Sequence, residues 1–171
     1  IADGDWSSDV CSSDLSLTLG NADGTWSNGW GPEGDPSCLN YNNTAPTDDE
    51  NQVAYGRSGS SCPSSLDFSQ QSGFGFDGSD AVSFDAGEAF VLGELVHYNR
   101  PIYAPNTLAT IDLTIDLSFI DPSANASLVY TMQLEETPNT EGACAYGEPG
   151  DTPCPDRVDF DQTIPDENFA I

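Results

Sequence analysis

The chain contains no lysine, and its only basic side chains are three arginines against 29 acidic residues, so the formal net charge is −26. Phosphate binding needs a basic patch, which Arg57, Arg100 and Arg157 are too few and too scattered to form. We therefore expect neither nucleic acid nor an anionic membrane surface as a partner. The acidic side chains of such a surface repel one another unless salt or bound cations screen them, which indicates that the protein functions in an ionic medium.

The chain also lacks a long apolar run. No stretch approaches the roughly 20 residues of a membrane-spanning helix, so we expect no membrane insertion by this sequence. Hydrophobic residues make up 37% and aromatic residues 10% of the chain, more than acidic disordered segments contain. The length of 171 residues suits one domain. The composition therefore predicts a folded acidic domain.

Residues 4–15 read GDWSSDVCSSDL, which resembles a translated sequencing-library adapter. Segments of this kind are set aside before the fold is considered, although a Ser/Asp-rich linker has a similar composition. We expect residues 1–15 to be non-native and disordered. At the other end, residues 168–171 stop within an apolar stretch, so we expect a domain truncated at its C-terminus.

Five cysteines are an odd number for a secreted protein. Four remain once Cys11 is set aside, and two local bridges would each close a Gly/Pro/Ser-rich loop and contribute about 2–4 kcal/mol. Three pairings are possible, and a zinc site is the rival, but the C-x-x-C pairs typical of zinc sites are absent. The sequence therefore favours disulfides and an oxidising compartment, with the pairs Cys38–Cys62 and Cys144–Cys154.

Alternating polar and apolar residues are the clearest strand signals. Every second residue from Thr110 to Phe119 is apolar, and a second alternating run follows, with an apolar face formed by Leu128, Tyr130, Met132 and Leu134. Period-two alternation predicts half-buried strands. The turn-forming residues at 121–125 between the two runs predict an antiparallel hairpin with one solvated face.

A third strand is predicted from Phe90 to Tyr98, with a bulge at Gly93. Shorter candidates lie at 16–19, 24–27, 52–55, 73–76, 81–84, 157–160 and 168–171. No stretch has a sustained 3.6-residue period, so we expect little helix. Residues 16–171 are thus predicted to form a single all-β domain, an antiparallel β-sandwich of jelly-roll type with long irregular loops at 29–51 and 139–156.

Five short segments, taken in order, resemble the choice-of-anchor K domain of bacterial surface proteins. They are GTWSN at 24–28, QSGFGF at 71–76, LGELVHYNRPI at 92–102, and ETPN at 136–139 followed by CPDRV at 154–158. The resemblance covers about residues 24–171. It implies a structural role for the motif residues, which are Trp26, His97, Tyr98, Asn99, Pro101, Glu136, Thr137, Pro138, Asn139, Pro155 and Asp156.

The resemblance implies export and retention at the cell envelope, since the family name records alternative C-terminal sorting signals. It implies no agreed molecular activity. Members of the family continue with another strand and then the anchor, so the early end of this sequence leaves the anchor type open. The pair Cys38 and Cys62 is not a feature that the resemblance explains.

His97 is the only histidine in the chain. No serine or cysteine is marked as the nucleophile that a catalytic histidine would serve, so we interpret His97 as a structural residue that bonds loop carbonyls together with Asn99. Glu135 and Glu136 are adjacent in a predicted strand and point to opposite faces. They cannot flank one glycosidic bond as a catalytic pair. We therefore expect no catalytic residues and no enzyme.

Calcium is the one cofactor that the sequence suggests, since Asp, Asn and backbone oxygens are the ligands it prefers. Neither of two candidate loops has the EF-hand spacing, and a plain acidic surface that attracts cations diffusely is the alternative. The candidate ligands are Asp77 and Asp80 in one loop and Asp151, Asp156, Asp159 and Asp161 in the other.

Aromatic side chains offer a second kind of candidate site, a platform for sugar rings. Among Trp26, Trp30, Tyr41 and Tyr55, we expect Trp26 in the core and Trp30 and Tyr41 in an exposed loop. The leading expectation is a non-enzymatic, cell-surface β-sandwich module with an adhesive or architectural role and a cell-surface protein or glycan as partner. The alternative is a carbohydrate-binding module of a larger secreted protein.

Overall fold

The computed structural model describes residues 16–31, 38–44, 49–103, 107–137, 144–148, 150–151 and 153–161. The adapter-like segment at 1–15 and the strand candidate at 168–171 lie outside this part of the chain. The described residues form nine strands and no helix. The strands are β1 (Ser16–Trp30), β2 (Asn40–Asn42), β3 (Asn51–Tyr55), β4 (Ser72–Gly78), β5 (Val82–Asp85), β6 (Gly93–Tyr98), β7 (Thr110–Asp121), β8 (Ala124–Glu135) and β9 (Arg157–Phe160).

The strands form two antiparallel sheets. The first has the order β5-β1-β7-β8-β9 and the second the order β2-β3-β4-β6. The chain crosses between the sheets after β1, β4, β5 and β6, so each sheet is built from separated parts of the sequence. The predicted all-β, antiparallel sandwich is confirmed.

The predicted hairpin is the pair β7 and β8. Their register runs from Thr110 opposite Gln133 to Phe119 opposite Ala124. The five alternating apolar residues of β7, which are Ile111, Leu113, Ile115, Leu117 and Phe119, are all buried, as period-two alternation requires for a strand with one face on the core. The turn is shorter than the sequence indicates, because only Pro122 and Ser123 separate the two strands.

The length of β1 differs from the sequence prediction. The sequence predicts two short strands at 16–19 and 24–27, whereas the structure has one continuous strand of 15 residues. Its first residues pair with β5 and most of its length pairs with β7, with register shifts on both sides of Leu19. Such irregularities accommodate extra residues within a strand, so Gly20 and Asn21 do not end it.

Two further boundaries differ from the sequence prediction. β6 begins at Gly93, so Phe90 to Leu92 precede the strand and Gly93 is its first residue rather than a bulge within it. The three-residue strand β2 lies inside the loop predicted to be irregular. It is too short to produce a recognisable alternation, which explains why the sequence does not reveal it.

The core between the sheets is apolar and aromatic. The rings of Trp26 and Tyr55 both stack with the Phe74 ring, with centroids 5.8 and 6.1 Å from it. Both favoured disulfides are present and hold the loops outside this core, Cys38–Cys62 with a Cα–Cα distance of 5.0 Å and Cys144–Cys154 with one of 5.1 Å.

Candidate functional site

Polar side chains from both sheets meet at one end of the sandwich, where β3, β6 and β8 end and β9 begins. Three of the segments that carry the family resemblance contribute to this meeting point. We call it the buried polar cluster, and it consists of Tyr55, His97, Asn99, Glu136, Thr137 and Asp156.

The second sheet supplies Tyr55 and His97. His97 lies directly opposite the buried Phe74 across the β4–β6 pair, so its ring faces the core and stacks on the Phe74 ring with centroids 4.7 Å apart. Tyr55 is the last residue of β3 and is buried beside the same ring. Strand pairing therefore fixes both side chains in the interior.

The first sheet supplies two carboxyl groups at its strand ends. Glu136 follows β8, and its Oε2 accepts a hydrogen bond from the Tyr55 hydroxyl at 3.3 Å. Asp156 precedes β9, and its side chain is 0% exposed. One Asp156 oxygen, Oδ1, accepts hydrogen bonds from the Thr137 backbone N–H at 2.8 Å and from the Thr137 hydroxyl at 3.1 Å.

Four buried polar atoms of the cluster have no hydrogen-bond partner: His97 Nε2, Asn99 Oδ1, Glu136 Oε1 and Asp156 Oδ2. Two of them face each other, because His97 Nε2 lies 3.9 Å from Asp156 Oδ2. Leaving a buried polar group unpaired costs free energy, and more so when the group is charged. The cluster therefore favours the neutral forms of its titratable side chains.

The direction of each pKa shift agrees with this conclusion. Burial, reinforced by the neighbouring Asp156, raises the pKa of Glu136 to about 8. Burial raises the pKa of Asp156 against the opposing hydrogen bonds from Thr137, and it raises the pKa of Tyr55. Burial lowers the pKa of His97, and the attraction of Asp156 only partly offsets it. At neutral pH the cluster thus holds an uncharged imidazole beside a protonated Glu136.

The sequence predicts that His97 and Asn99 bond loop carbonyl groups, and in the structure Asn99 does so. Its Nδ2 donates to the Cys154 carbonyl oxygen at 2.8 Å and so holds the disulfide-bonded loop against β6. His97 Nε2 bonds no loop carbonyl and lies beside the Asp156 carboxyl group instead. The sequence does not predict that a second carboxyl group, that of Glu136, lies near Asp156.

Trp26 and Tyr98 lie on opposite sides of the second sheet. Trp26 is buried, as expected, and its indole N–H donates to the Asn51 carbonyl oxygen at 2.9 Å. Tyr98 lies on the outer face, where its ring stacks on Phe68 with centroids 4.0 Å apart and its hydroxyl donates to the Glu50 carboxylate at 3.0 Å. Trp26, a residue of β1, thus joins the first sheet to β3 of the second, and Tyr98 packs on the outer face of the second sheet.

The motif prolines are divided between the surface and the cluster. Pro101 is exposed after β6. Pro155 lies next to Asp156, and its carbonyl oxygen accepts a hydrogen bond from the Thr137 hydroxyl at 3.0 Å. The remaining motif residues, Pro138 and Asn139, lie outside the described part of the chain.

The candidate calcium ligands occupy separate surroundings. Asp77 and Asp80 are exposed at the end of β4. Asp159 forms an ion pair of 2.8 Å with Arg157, and Asp151 accepts a hydrogen bond from the Glu148 backbone. The other two are Asp156, which is in the cluster, and the exposed Asp161.

Within the described residues, no group of three or more His, Cys, Asp or Glu side chains is arranged to hold a metal ion. Calcium binding accordingly stays a prediction.

The aromatic candidates separate into buried and exposed pairs. Trp26 and Tyr55 are buried and are unavailable to a ligand. Trp30 is 56% exposed and Tyr41 is 41% exposed. Their chain segments touch, because the Tyr41 hydroxyl accepts a hydrogen bond from the backbone N–H of Gly29 at 3.0 Å. The two exposed rings therefore lie on adjoining segments at the surface.

No protein-family model matches the chain, and no curated protein is significantly similar to it. The part of the chain that the structure describes has no helix long and apolar enough to cross a membrane. The two disulfides fit a secreted or extracellular protein.

Proposed function

We propose that this chain is a non-enzymatic, extracellular β-sandwich module of a bacterial envelope-anchored protein, with a role in adhesion or surface architecture. The observation that carries the proposal is the pair of disulfides, Cys38–Cys62 and Cys144–Cys154. Disulfides form and persist in oxidising compartments and are rare in the cytosol.

The distribution of charge supports the same proposal. Asp23 and Asp116 lie directly opposite each other in the β1–β7 pair, an arrangement that costs stability when salt is scarce. Asp112 lies further along the same sheet, where its two oxygens accept hydrogen bonds from Asn28 and Thr131. Salt outside a cell screens such repulsion, and mutual repulsion keeps acidic surface modules from associating with one another.

The resemblance to the choice-of-anchor K domain gives independent support. The segments around His97, Glu136 and Asp156 are far apart in sequence, yet their side chains meet in one buried cluster. A shared structural purpose accounts for their occurrence together. Four polar atoms of the cluster are shielded from solvent, which supports a structural role for these residues.

The test is retention under flow. Beads coated with the oxidised chain are passed over bacterial cells, host-cell surfaces and immobilised matrix proteins, and beads coated with the reduced and alkylated chain serve as the control. We expect the oxidised chain alone to be retained on at least one surface. Equal retention of both preparations on every surface would contradict an adhesive role.

The non-enzymatic part of the proposal needs a separate measurement. The chain is incubated with panels of ester, peptide and glycoside substrates, next to a His97→Gln variant. We expect no turnover by either protein. Turnover that the variant loses would show that the cluster is catalytic and would overturn the proposal.

Carbohydrate binding is the second candidate, and the exposed rings of Trp30 and Tyr41 favour it. Flat apolar rings with polar edges nearby are the usual surface against which sugar rings stack. A glycan array probed with the chain and with Trp30→Ala tests it. Ile120→Ala is the matched control, because Ile120 is 62% exposed and lies at the opposite end of β7 from the Trp30 pairing. Glycan signals lost only in Trp30→Ala would favour this function.

A further inference from the structure

Thr137 and Asp156 form a buried contact between a hydroxyl and a carboxyl group. Thr137 is 3% exposed, and the Asp156 side chain is 0% exposed. The Thr137 Oγ1 lies 3.1 Å from Asp156 Oδ1, one of the two oxygens on the carboxyl carbon Cγ, and 3.0 Å from the Pro155 carbonyl oxygen. The backbone N–H of Thr137 donates to the same oxygen at 2.8 Å. A potential nucleophile and a hydrogen-bond donor thus approach one carboxyl group together.

The second oxygen of this carboxyl group is arranged differently. Asp156 Oδ2 is buried, has no hydrogen-bond partner and faces the imidazole Nε2 of His97 at 3.9 Å, which also has no partner. The two oxygens of Asp156 therefore have different surroundings. Oδ1 is held by Thr137, whereas Oδ2 faces His97 Nε2 at a distance too long for a hydrogen bond.

We propose that Thr137 and Asp156 form an intramolecular ester. The Thr137 Oγ1 attacks Asp156 Cγ, a new Oγ1–Cγ bond forms, and the Cγ–Oδ2 bond breaks. Oδ2 leaves as water with the hydroxyl proton of Thr137 and the proton of the Asp156 carboxylic acid. The step involves no oxidation and no co-reactant.

The surroundings assign a role to each neighbouring group. The Thr137 backbone N–H is placed to stabilise the negative charge that develops on Oδ1 in the tetrahedral intermediate. His97 Nε2 lies 3.9 Å from Oδ2 and relays the proton to the departing oxygen. Glu136, whose pKa is raised to about 8, adds a protonated carboxyl group next to Thr137 in the chain. Tyr55 occupies one Glu136 oxygen and completes the titratable groups that face the contact.

Proximity lowers the barrier to the reaction. Groups held in a reactive orientation reach effective concentrations of about 10⁵–10⁸ M in intramolecular reactions, which speeds the attack of the hydroxyl on the carboxyl group. Burial keeps water from the product and raises the pKa of Asp156, which increases the share of the acid form that the reaction consumes. The chain has no lysine, so a hydroxyl rather than an amine is the nucleophile available for a cross-link.

The ester would tie together the two ends of the connection between β8 and β9. Cys144–Cys154 lies inside this connection and closes a smaller loop. A reducing agent opens the disulfide and leaves an ester intact, so the two cross-links differ in the conditions that break them. This inference does not depend on the proposed adhesive function.

The mass of the intact chain tests the proposal. The full chain is purified, reduced, alkylated and measured by mass spectrometry. We expect a mass lower by one water molecule than that of the reduced and alkylated sequence. Proteolysis should yield a linked pair of peptides carrying residues 137 and 156, which hydroxylamine separates by leaving a hydroxamate on Asp156. A mass equal to that of the unmodified sequence would overturn the proposal.

The structure provides a matched control pair. The Thr131 hydroxyl donates to the Asp112 carboxylate at 2.7 Å, but this contact lies on the outer face of the first sheet and not in the cluster. We expect no cross-link between these residues. We also expect Thr137→Val to restore the full mass and Thr131→Val to leave the deficit unchanged. A deficit that persists in Thr137→Val, or that maps to residues 112 and 131, would contradict the assignment.

Discussion

Glu136 is the residue at which burial has its clearest electrostatic effect. Its side chain lies at the junction of the two sheets, where Tyr55 is its hydrogen-bond partner and Asp156 is a second acid nearby. A charge on Glu136 loses its hydration and meets a like charge, and both effects raise the pKa to about 8. In the unfolded chain the same group titrates near 4.5. The folded state therefore retains a proton that the unfolded state loses.

This difference predicts how stability depends on pH. Because the folded-state pKa is the higher one, the stabilising contribution of Glu136 is complete below about pH 4.5 and is lost as the pH rises through about 8. In that window the free energy of unfolding falls by up to about 1.4 kcal/mol for each pH unit. Urea unfolding at pH 5, 6, 7 and 8 and constant ionic strength measures it, and Glu136→Gln should flatten the dependence.

A control separates this effect from the general repulsion of an acidic protein. Glu94→Gln removes the same charge from an exposed position on β6. We expect its pH dependence to follow that of the unaltered chain. If Glu136→Gln and Glu94→Gln gave the same profile, the buried cluster would not be the source of the pH dependence.

The sequence identifies most residues of the buried polar cluster but does not predict that they lie together. His97, Asn99, Glu136, Thr137 and Asp156 are all singled out by the family resemblance, but no local pattern places them together. Their meeting depends on which strands pair and where each strand ends, which is decided by the whole fold. Tyr55 carries no such signal and is indistinguishable in sequence from any other inward-facing strand aromatic.

At the scale of elements, the strands that can be predicted from the sequence are those with one face on the core and one face in solvent, because their residues alternate between apolar and polar. β7 alternates strictly because one face lies on the core and the other faces solvent. β1 is harder to recognise, because its residues pair first with β5 and then with β7, and irregularities in register fall where the sequence reads like a turn. The glycine at position 20 suggests a break in the strand, but the pairing of β1 with β5 and with β7 keeps the strand continuous.

The close approach of β4 to β1 leads to a second prediction. Gly78 ends β4, and a Cβ atom at this position would overlap the backbone carbonyl group of Ala22 in β1. The Ala22 backbone N–H also donates to the Ser79 carbonyl oxygen at 3.0 Å, so the two segments cannot separate freely. We expect Gly78→Ala to lower the free energy of unfolding by about 1–3 kcal/mol, measured by urea denaturation.

Gly59 is the matched control for this substitution. A Cβ atom there would approach only Oε1 of Gln70, at 2.9 Å, and the end of a flexible side chain can move away. Gly59→Ala should therefore change the stability by much less than Gly78→Ala. Equal effects would show that the backbone contact between β1 and β4 does not restrict this position.

At the scale of the whole molecule, the net charge of −26 controls the response to salt. With three arginines and no lysine in the chain, nearly every charge meets others of the same sign. The Debye length falls from about 30 Å at 0.01 M salt to about 3 Å at 1 M salt, which removes repulsion between distant carboxylates. We expect the melting temperature to rise steadily over this range of sodium chloride, as followed by circular dichroism. A melting temperature independent of salt would contradict this account of the acidic surface.

Divalent ions distinguish diffuse screening from a specific site. In the described residues, no three or more His, Cys, Asp or Glu side chains are gathered into a group suited to a metal ion. We therefore expect calcium and magnesium chloride to raise the melting temperature equally at the same ionic strength. Asp151→Asn, in one of the loops predicted to bind calcium, should reduce neither shift. A larger shift with calcium that this substitution abolishes would instead establish a calcium site, because diffuse screening depends on ionic charge and not on the size or coordination of the ion.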